Sequence, residues 1–185
     1  MLEFLLEKLS MTLTLPTMVW FLLVVALFFL YKEKEKKNKR PKVGIGVMIF
    51  KNGKILLGKR KGSHGGGEWS WPGGHMEYME SFYECVIREV REEAGIEIQN
   101  IKFLKVSNLK DYAPKHYVDI GFVADWSLGE PKILEPKKCS EWKWFDIDNL
   151  PTPLFKTLPI YIEAYKTGKV FWDEYEKYKY TKRVS

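Results

Sequence analysis

Three glutamates, Glu89, Glu92 and Glu93, stand at i, i+3 and i+4 in a segment whose two ends read as helix ends. No other feature constrains this chain so tightly. Ser81 followed by Glu84 is an S-x-x-E capping box that starts a helix at Phe82. Gly95 sits where a glycine stops one. Between these limits Phe82, Cys85, Val86 and Val90 form an apolar stripe turned towards a sheet, and the three carboxylates share one face. Like charges at that spacing destabilise a helix. They also fall in its last two turns, at the negative end of the macrodipole. Such a helix needs a cation beside it, and carboxylates that also face phosphate suit Mg²⁺.

The same glutamates belong to a longer pattern. The 23 residues from Gly74 to Ile96 hold Gly74, Glu80, Arg88, Glu89, Val90, Glu92, Glu93, Gly95 and Ile96 at the fixed positions of the Nudix box, and Pro72-Gly73 precedes them. The chain thus resembles the Nudix hydrolases, which cleave nucleoside diphosphates linked to another group. That resemblance implies an α+β Nudix fold, a mixed β-sheet sandwiched between α-helices. It implies Mg²⁺, with Mn²⁺ as a substitute, bound by Glu89, Glu92, Glu93 and the carbonyl of Gly74. One of the three glutamates activates water, and family members differ on which. Arg88 orients a carboxylate, with Glu80 as its partner.

The resemblance covers most of residues 43–168. The runs LLGKRKGSHGGGEWSWPGGHMEYMES, LEPKKCSEWKWFDIDNLP and PLFK are similar to the MutT homolog 2 branch of nucleoside triphosphate diphosphatases. This implies release of a monophosphate and pyrophosphate from a canonical or modified purine nucleotide. By position, Ser70, Trp71 and Gly73 line a base pocket and Phe155 closes it; core packing is the other reading of Trp71 and Phe155. Lys156 replaces an aromatic residue of that branch and Trp71 a smaller aliphatic one, so a guanine preference does not carry over. His75 either touches phosphate or packs in its loop, and Glu141 is either an accessory ligand or a surface acid. Tyr112 lies near a tyrosine of dinucleoside polyphosphate hydrolases. Pro114 falls slightly too far on for the proline of ADP-ribose hydrolases. Relatives of this kind are often homodimers.

Around the box the pattern alternates between strand and helix. Val43, Ile45, Val47 and Ile49 have the period of a strand. Asn52-Gly53 is a hairpin turn, and residues 54–60 return as a second strand. Residues 61–67 read as a mobile loop at the rim of the site, and Pro72-Gly73-Gly74 as a tight turn that lets backbone approach a ligand. Residues 98–107, 117–125 and 142–145 read as strands and residues 154–167 as a helix. The organisation is then an N-terminal segment (1–12), an apolar helix (13–31), a basic linker (32–40), the hydrolase domain (41–170) and an aromatic, basic tail (171–185).

The first forty residues set a separate expectation. No charge interrupts the chain from Leu9 to Tyr31, a run able to cross roughly 30 Å of hydrocarbon as a helix. Glu3 and Glu7 precede it and no small-residue cleavage site follows, which favours an uncleaved signal anchor over a signal peptide. Six Lys/Arg among residues 32–40 place the following domain in the cytoplasm and offer contact with anionic lipid, or simply a solvated linker. Half of the formal charge of +6 lies in residues 1–40. The nearly balanced remainder argues against nucleic acid as a partner. Cys85 and Cys139 form no C-x-x-C or zinc pattern and read as packed thiols, and His64 and His116 as exposed loop residues.

Overall fold

The computed structural model describes residues 15–37, 40–62, 65–110 and 113–173. The chain divides into two compact units, Met1–Arg40 and Pro41–Ser185.

The first unit contains helix α1 (Leu15–Lys37). Among the described residues no helix is long and apolar enough to cross a membrane. The reason is length. The apolar run from Met18 to Tyr31 is about 21 Å at 1.5 Å per residue, and Lys32, Glu33 and Lys34 follow directly. The uncharged run expected to complete a span begins at Leu9, and residues 1–14 lie outside the described residues. The expected transmembrane helix at 13–31 is therefore not found.

The second unit is a mixed sheet with a helix packed on each face. Its strands are β1 (Lys42–Lys51), β2 (Lys54–Arg60), β3 (Trp69–Ser70), β4 (Gly73–His75), β5 (Glu97–Leu109), β6 (Tyr117–Leu128), β7 (Cys139–Asp146) and β8 (Phe171–Trp172). The helices are α2 (Phe82–Ala94) and α3 (Leu158–Thr167). The main path runs β3-β2-β1-β6-β5-β8, with β4 paired to β1 and β7 to β2. β1 runs parallel to β6 from Lys42↔Tyr117 to Phe50↔Asp125, and antiparallel to β2 and β4. Asn52 and Gly53 make the β1–β2 turn with φ of 50° and 77°, as a two-residue hairpin requires.

β1 is buried on both faces from Ile45 to Ile49, because each face carries its own core. Ile45, Val47 and Ile49 join Cys85, Val86 and Val90 of α2; Met48 joins Leu158, Tyr161 and Ala164 of α3. Burial at roughly 1.5–3 kcal/mol per large aliphatic side chain makes these two layers the main source of stability.

Helix α2 obeys its sequence signals: Ser81 and Glu84 complete the capping box, and Gly95 closes the helix at φ 65°. Phe82 is a correction. It is 45% exposed at the edge of the stripe, and Glu89 takes an inward position with Cys85, Val86, Val90 and Ala94. Helix α3 starts at Leu158 rather than Leu154. Residues 153–155 are instead extended along β3, where Trp69 N–H donates to the Pro153 carbonyl and Phe155 N–H to that of Trp69. The Pro72-Gly73-Gly74 turn is also a correction, since Gly73 and Gly74 pair with Gly46 and Ile45 as strand β4. Of the tail, Phe171–Trp172 pairs in parallel with β5; residues 174–185 lie outside the described residues.

Candidate active site

Strand β4 and the last two turns of α2 face each other. A Cβ at Gly73 would lie 2.1 Å from the Ile45 carbonyl oxygen, so only glycine lets this strand approach β1. The Gly73 N–H donates to Glu93 Oε2 at 2.9 Å. A Cβ at Gly74 would lie 2.3 Å from Glu89 Oε1, so the strand backbone rests directly on the Glu89 carboxylate. The two glycines thus bring the peptide chain against the acids of the helix.

Arg88 organises the acidic face. Its Nε donates to Glu80 Oε1 at 2.7 Å and its Nη2 to Glu80 Oε2 at 3.0 Å, a two-pronged pair. Nη1 reaches Glu89 at 3.0 Å and Glu92 at 3.1 Å, and Nη2 also donates to the His75 carbonyl. The bond to Glu80 is the main reason that Arg88 holds its proton even more firmly than usual. Arg88 in turn holds Glu80 down at about 2.

Glu89 and Glu93 behave in the opposite way. Burial pushes Glu89 above the ordinary carboxylate range despite Arg88. Burial, with Glu89 and Glu135 nearby, pushes Glu93 up to about 7 despite the Gly73 N–H. Two neighbouring acids that resist ionisation, Glu89 bonded to the Arg88 guanidinium and Glu93 to the Gly73 N–H, make a site short of positive charge. Among the described residues no three acidic, imidazole or thiol groups stand close enough together to hold an ion. Glu93 is turned to Gly73, while Glu92 bonds Arg88 with about half its side chain in solvent. The donor chemistry still fits a hard divalent cation, because Glu89, Glu92, Glu93 and the Gly74 carbonyl offer only oxygen.

These groups open into one cleft of about 740 Å³. Ser70, Trp71, Gly73, Gly74, His75, Arg88, Glu89, Glu92, Glu93 and Phe155, all singled out from the sequence, line it. Trp71 and Phe155 are both buried, so they serve core and cleft together. Ser70 donates to the Trp71 carbonyl. His75 stacks on Tyr117 at 5.6 Å, and burial, then Lys42, Lys138 and Lys115, hold its pKa below the usual value. Glu141 stands exposed on β7 and is not part of the lining. His116 is half-buried against Asn108, at 2.6 Å. His64 and Tyr112 lie outside the described residues. Both thiols are buried, with Cys85 pushed up to about 12 mainly by burial.

Sequence reasoning missed two groups. The first is a cationic wall, Arg60, Lys61, Lys137 and Lys138, contributed by β2 and the loop before β7. Lys138 is tied to Glu135 at 2.7 Å, and Lys61 donates to the Pro136 carbonyl at 3.0 Å. The K-R-K triplet at 59–61 and the K-K doublet at 137–138 carry that charge, but they are nearly eighty residues apart and the β2–β7 pairing unites them. The second is a buried cluster on the sheet floor, Lys105, Ser107, Asp119 and Tyr161. Nothing local marks a lysine in a strand as buried.

The NUDIX domain family matches residues 40–166, most of the chain and the whole of this site. The chain belongs to that family. Its α+β sandwich and its box are those of a Nudix hydrolase, and it is a hydrolase of the MutT-like kind. An ADP-ribose pyrophosphatase of Methanocaldococcus jannaschii is 37% identical over 116 residues, 62% of this chain and 68% of that protein. An NAD-capped RNA hydrolase NudC of Stutzerimonas stutzeri is 32% identical over 105 residues, 57% of this chain but only 37% of that longer protein. Among solved structures, a MutT NUDIX hydrolase from Burkholderia pseudomallei is 37% identical with a TM-score of 0.64, covering 68% of this chain and 98% of that one.

Proposed function

We propose that this Nudix hydrolase converts a nucleoside triphosphate, canonical or modified in its purine base, to the monophosphate and pyrophosphate. The supporting observation is the charge layout of the cleft. Oxygen donors of α2, a wall of four cations and an aromatic end of Trp71 and Phe155 all line it. A triphosphate carries more negative charge than a diphosphate diester, and four cations beyond Arg88 suit the larger charge.

In this reading Glu89, Glu92, Glu93 and the Gly74 carbonyl hold Mg²⁺, with Mn²⁺ able to replace it. Bound there, the ion would neutralise phosphate oxygens and lower the pKa of a water it held. Arg60, Lys61, Lys137 and Lys138 bind the polyphosphate and stabilise charge on the leaving pyrophosphate. Arg88 fixes the rotamers of Glu89 and Glu92 and is itself fixed by Glu80. One glutamate of the three takes the proton of the attacking water as the water oxygen bonds phosphorus and the bridging P–O bond breaks. Trp71 and Phe155 stack on the base and exclude solvent from it.

A second reading, hydrolysis of ADP-ribose, is favoured by the likeness to the M. jannaschii enzyme. Chromatography of products from the full chain, Mg²⁺ and a panel of triphosphates, oxidised dGTP, ADP-ribose and a diadenosine polyphosphate separates the two. Monophosphate with pyrophosphate supports the first reading. Turnover of ADP-ribose alone replaces it with the second.

We also propose that residues 1–40 bring the domain to a membrane on its cytoplasmic side. Supporting this, the apolar side chains Trp20, Phe21, Leu27, Phe28, Phe29 and Leu30 of α1 are each more than half exposed, and lysines follow them. Recovery of the whole pool in the soluble fraction, with no wash of the membranes, would overturn it.

A further inference from the structure

Lys105 is fully buried in strand β5, an expensive place for a charge. Its Nζ donates to Asp119 Oδ2 and, at 2.8 Å, to Ser107 Oγ. Ser107 and Asp119 are paired across β5 and β6. On the far side of Asp119, the Tyr161 hydroxyl donates to Oδ1 at 3.3 Å. Tyr161 reaches this point only through a gap in the sheet. Gly46 of β1 and Gly121 of β6 are register partners, and a Cβ on either would lie 2.5 Å or 2.8 Å from the tyrosine. Three elements and two glycines thus cooperate to place one carboxylate.

That carboxylate lines the same cleft as the catalytic acids, whereas Lys105 does not. Asp119 keeps a small exposed fraction, 12% of its side chain, and Lys105 none. The lysine stands behind the acid and neutralises it, which lets a negatively charged substrate approach. Beside them is an independent irregularity. The Trp71 indole N–H is buried without a hydrogen-bond partner among the described residues. Trp71 is itself 6% exposed, lines the cleft, and packs its ring 5.6 Å from that of Tyr161. A buried unpaired donor costs stability unless a ligand supplies its acceptor. A buried ion pair is likewise poor as a stabilising device, since apolar side chains of similar volume do as well or better.

We propose that Asp119 is the specificity-determining residue of the aromatic end of this cleft. It accepts a hydrogen bond from an N–H, above all the exocyclic amine, of a nucleobase whose neighbouring acceptor takes the Trp71 N–H. Lys105 and Tyr161, one on each carboxylate oxygen, hold Asp119 in one rotamer. An acceptor-only carboxylate selects a ring that donates, and leaves its bond unmade when the ring carries a carbonyl in that place. Arrangements of this kind discriminate strongly, because the wrong ring leaves a buried polar group unpaired.

The inference rests on the reading that the cleft holds a nucleotide, and the experiment keeps the two apart. kcat and KM are measured on the full wild-type chain with pairs that differ by an amine: dGTP against dITP, and dCTP against dUTP. At least one amine-bearing member is expected to have a KM roughly 10- to 100-fold lower than its partner, with kcat little changed. Equal KM values within both pairs overturn the assignment of Asp119 and leave the triphosphate reading standing. No turnover of any triphosphate sinks that reading and this one with it. Asp119→Asn should collapse the preference, and Trp71→Phe, which keeps a ring and loses only the N–H, should weaken binding of the preferred base. Retention of the full preference in folded Asp119→Asn refutes the proposal. If that variant does not fold, the wild-type pairs decide alone.

Discussion

Gly74→Ala is the sharpest single test of how this site is built. The Gly74 backbone does not lie in the left-handed region, so alanine meets no conformational penalty there. What it meets is the Glu89 carboxylate. The new Cβ would stand 2.3 Å from Oε1, 2.4 Å from Oε2 and 2.5 Å from Cδ, where ordinary contact begins at 3.4 Å. The carboxylate must therefore retreat by about 1 Å, and a misplacement of that size near reacting atoms costs on the order of 10²-fold in rate. Glu89 is buried against Arg88, so the retreat also pulls on the guanidinium. The expected result is a loss of roughly 100-fold in kcat and a Mg²⁺ activation curve moved to higher concentration. The thermal midpoint should change by less than about 5 °C, since glycine-to-alanine also lowers unfolded-chain entropy. Steady-state kinetics against Mg²⁺ concentration, with a melting curve on the same sample, measures all three. A variant with wild-type kcat and an unshifted Mg²⁺ curve would show that Glu89 does not hold the ion.

Other outcomes follow from the same geometry. Glu93→Gln keeps an oxygen for the Gly73 N–H and so should fold, yet lose about 10²–10⁴-fold in turnover, read by pyrophosphate release. Chelation with EDTA should abolish activity, with recovery on Mg²⁺ or Mn²⁺ and none on Na⁺; full activity in EDTA would remove the metal from the mechanism. Glu80→Gln should cost about 1–2 kcal/mol at neutral pH, because one prong of the Arg88 pair and its charge are lost. Glu80 titrates near 2, below its ordinary 4.5, so its stabilisation is complete above pH 4.5 and fades as pH falls towards 2. Urea unfolding of wild type and variant should thus converge in that window, and a constant gap down to pH 2 would contradict the pairing.

The helix of the box was legible to the residue. Its start at Phe82 and its stop at Gly95 are local events, a side chain closing on its own backbone and a left-handed glycine, and neither depends on the rest of the chain. The β1–β2 hairpin was legible for the same reason, since Asn52-Gly53 carries its turn within two residues. Phe82, Leu154 and Gly73 were misread where distant partners outweigh local signal. Phe82 stays 45% exposed beside the Phe122 ring, Trp69 draws residues 153–155 into extended pairing, and β1 recruits Gly73 and Gly74 as a strand.

The sequence by itself therefore determined the acids, their common helical face and the family to which they point, because spacing on one helix fixes them. Tertiary structure alone decided what those acids face. Strand pairing between β2 and β7 brings Lys137 and Lys138 to Arg60 and Lys61, and paired glycines on β1 and β6 let Tyr161 reach Asp119. Charge neutralisation across a cleft acts through space, between residues whose separation along the chain carries no information about their separation in the fold.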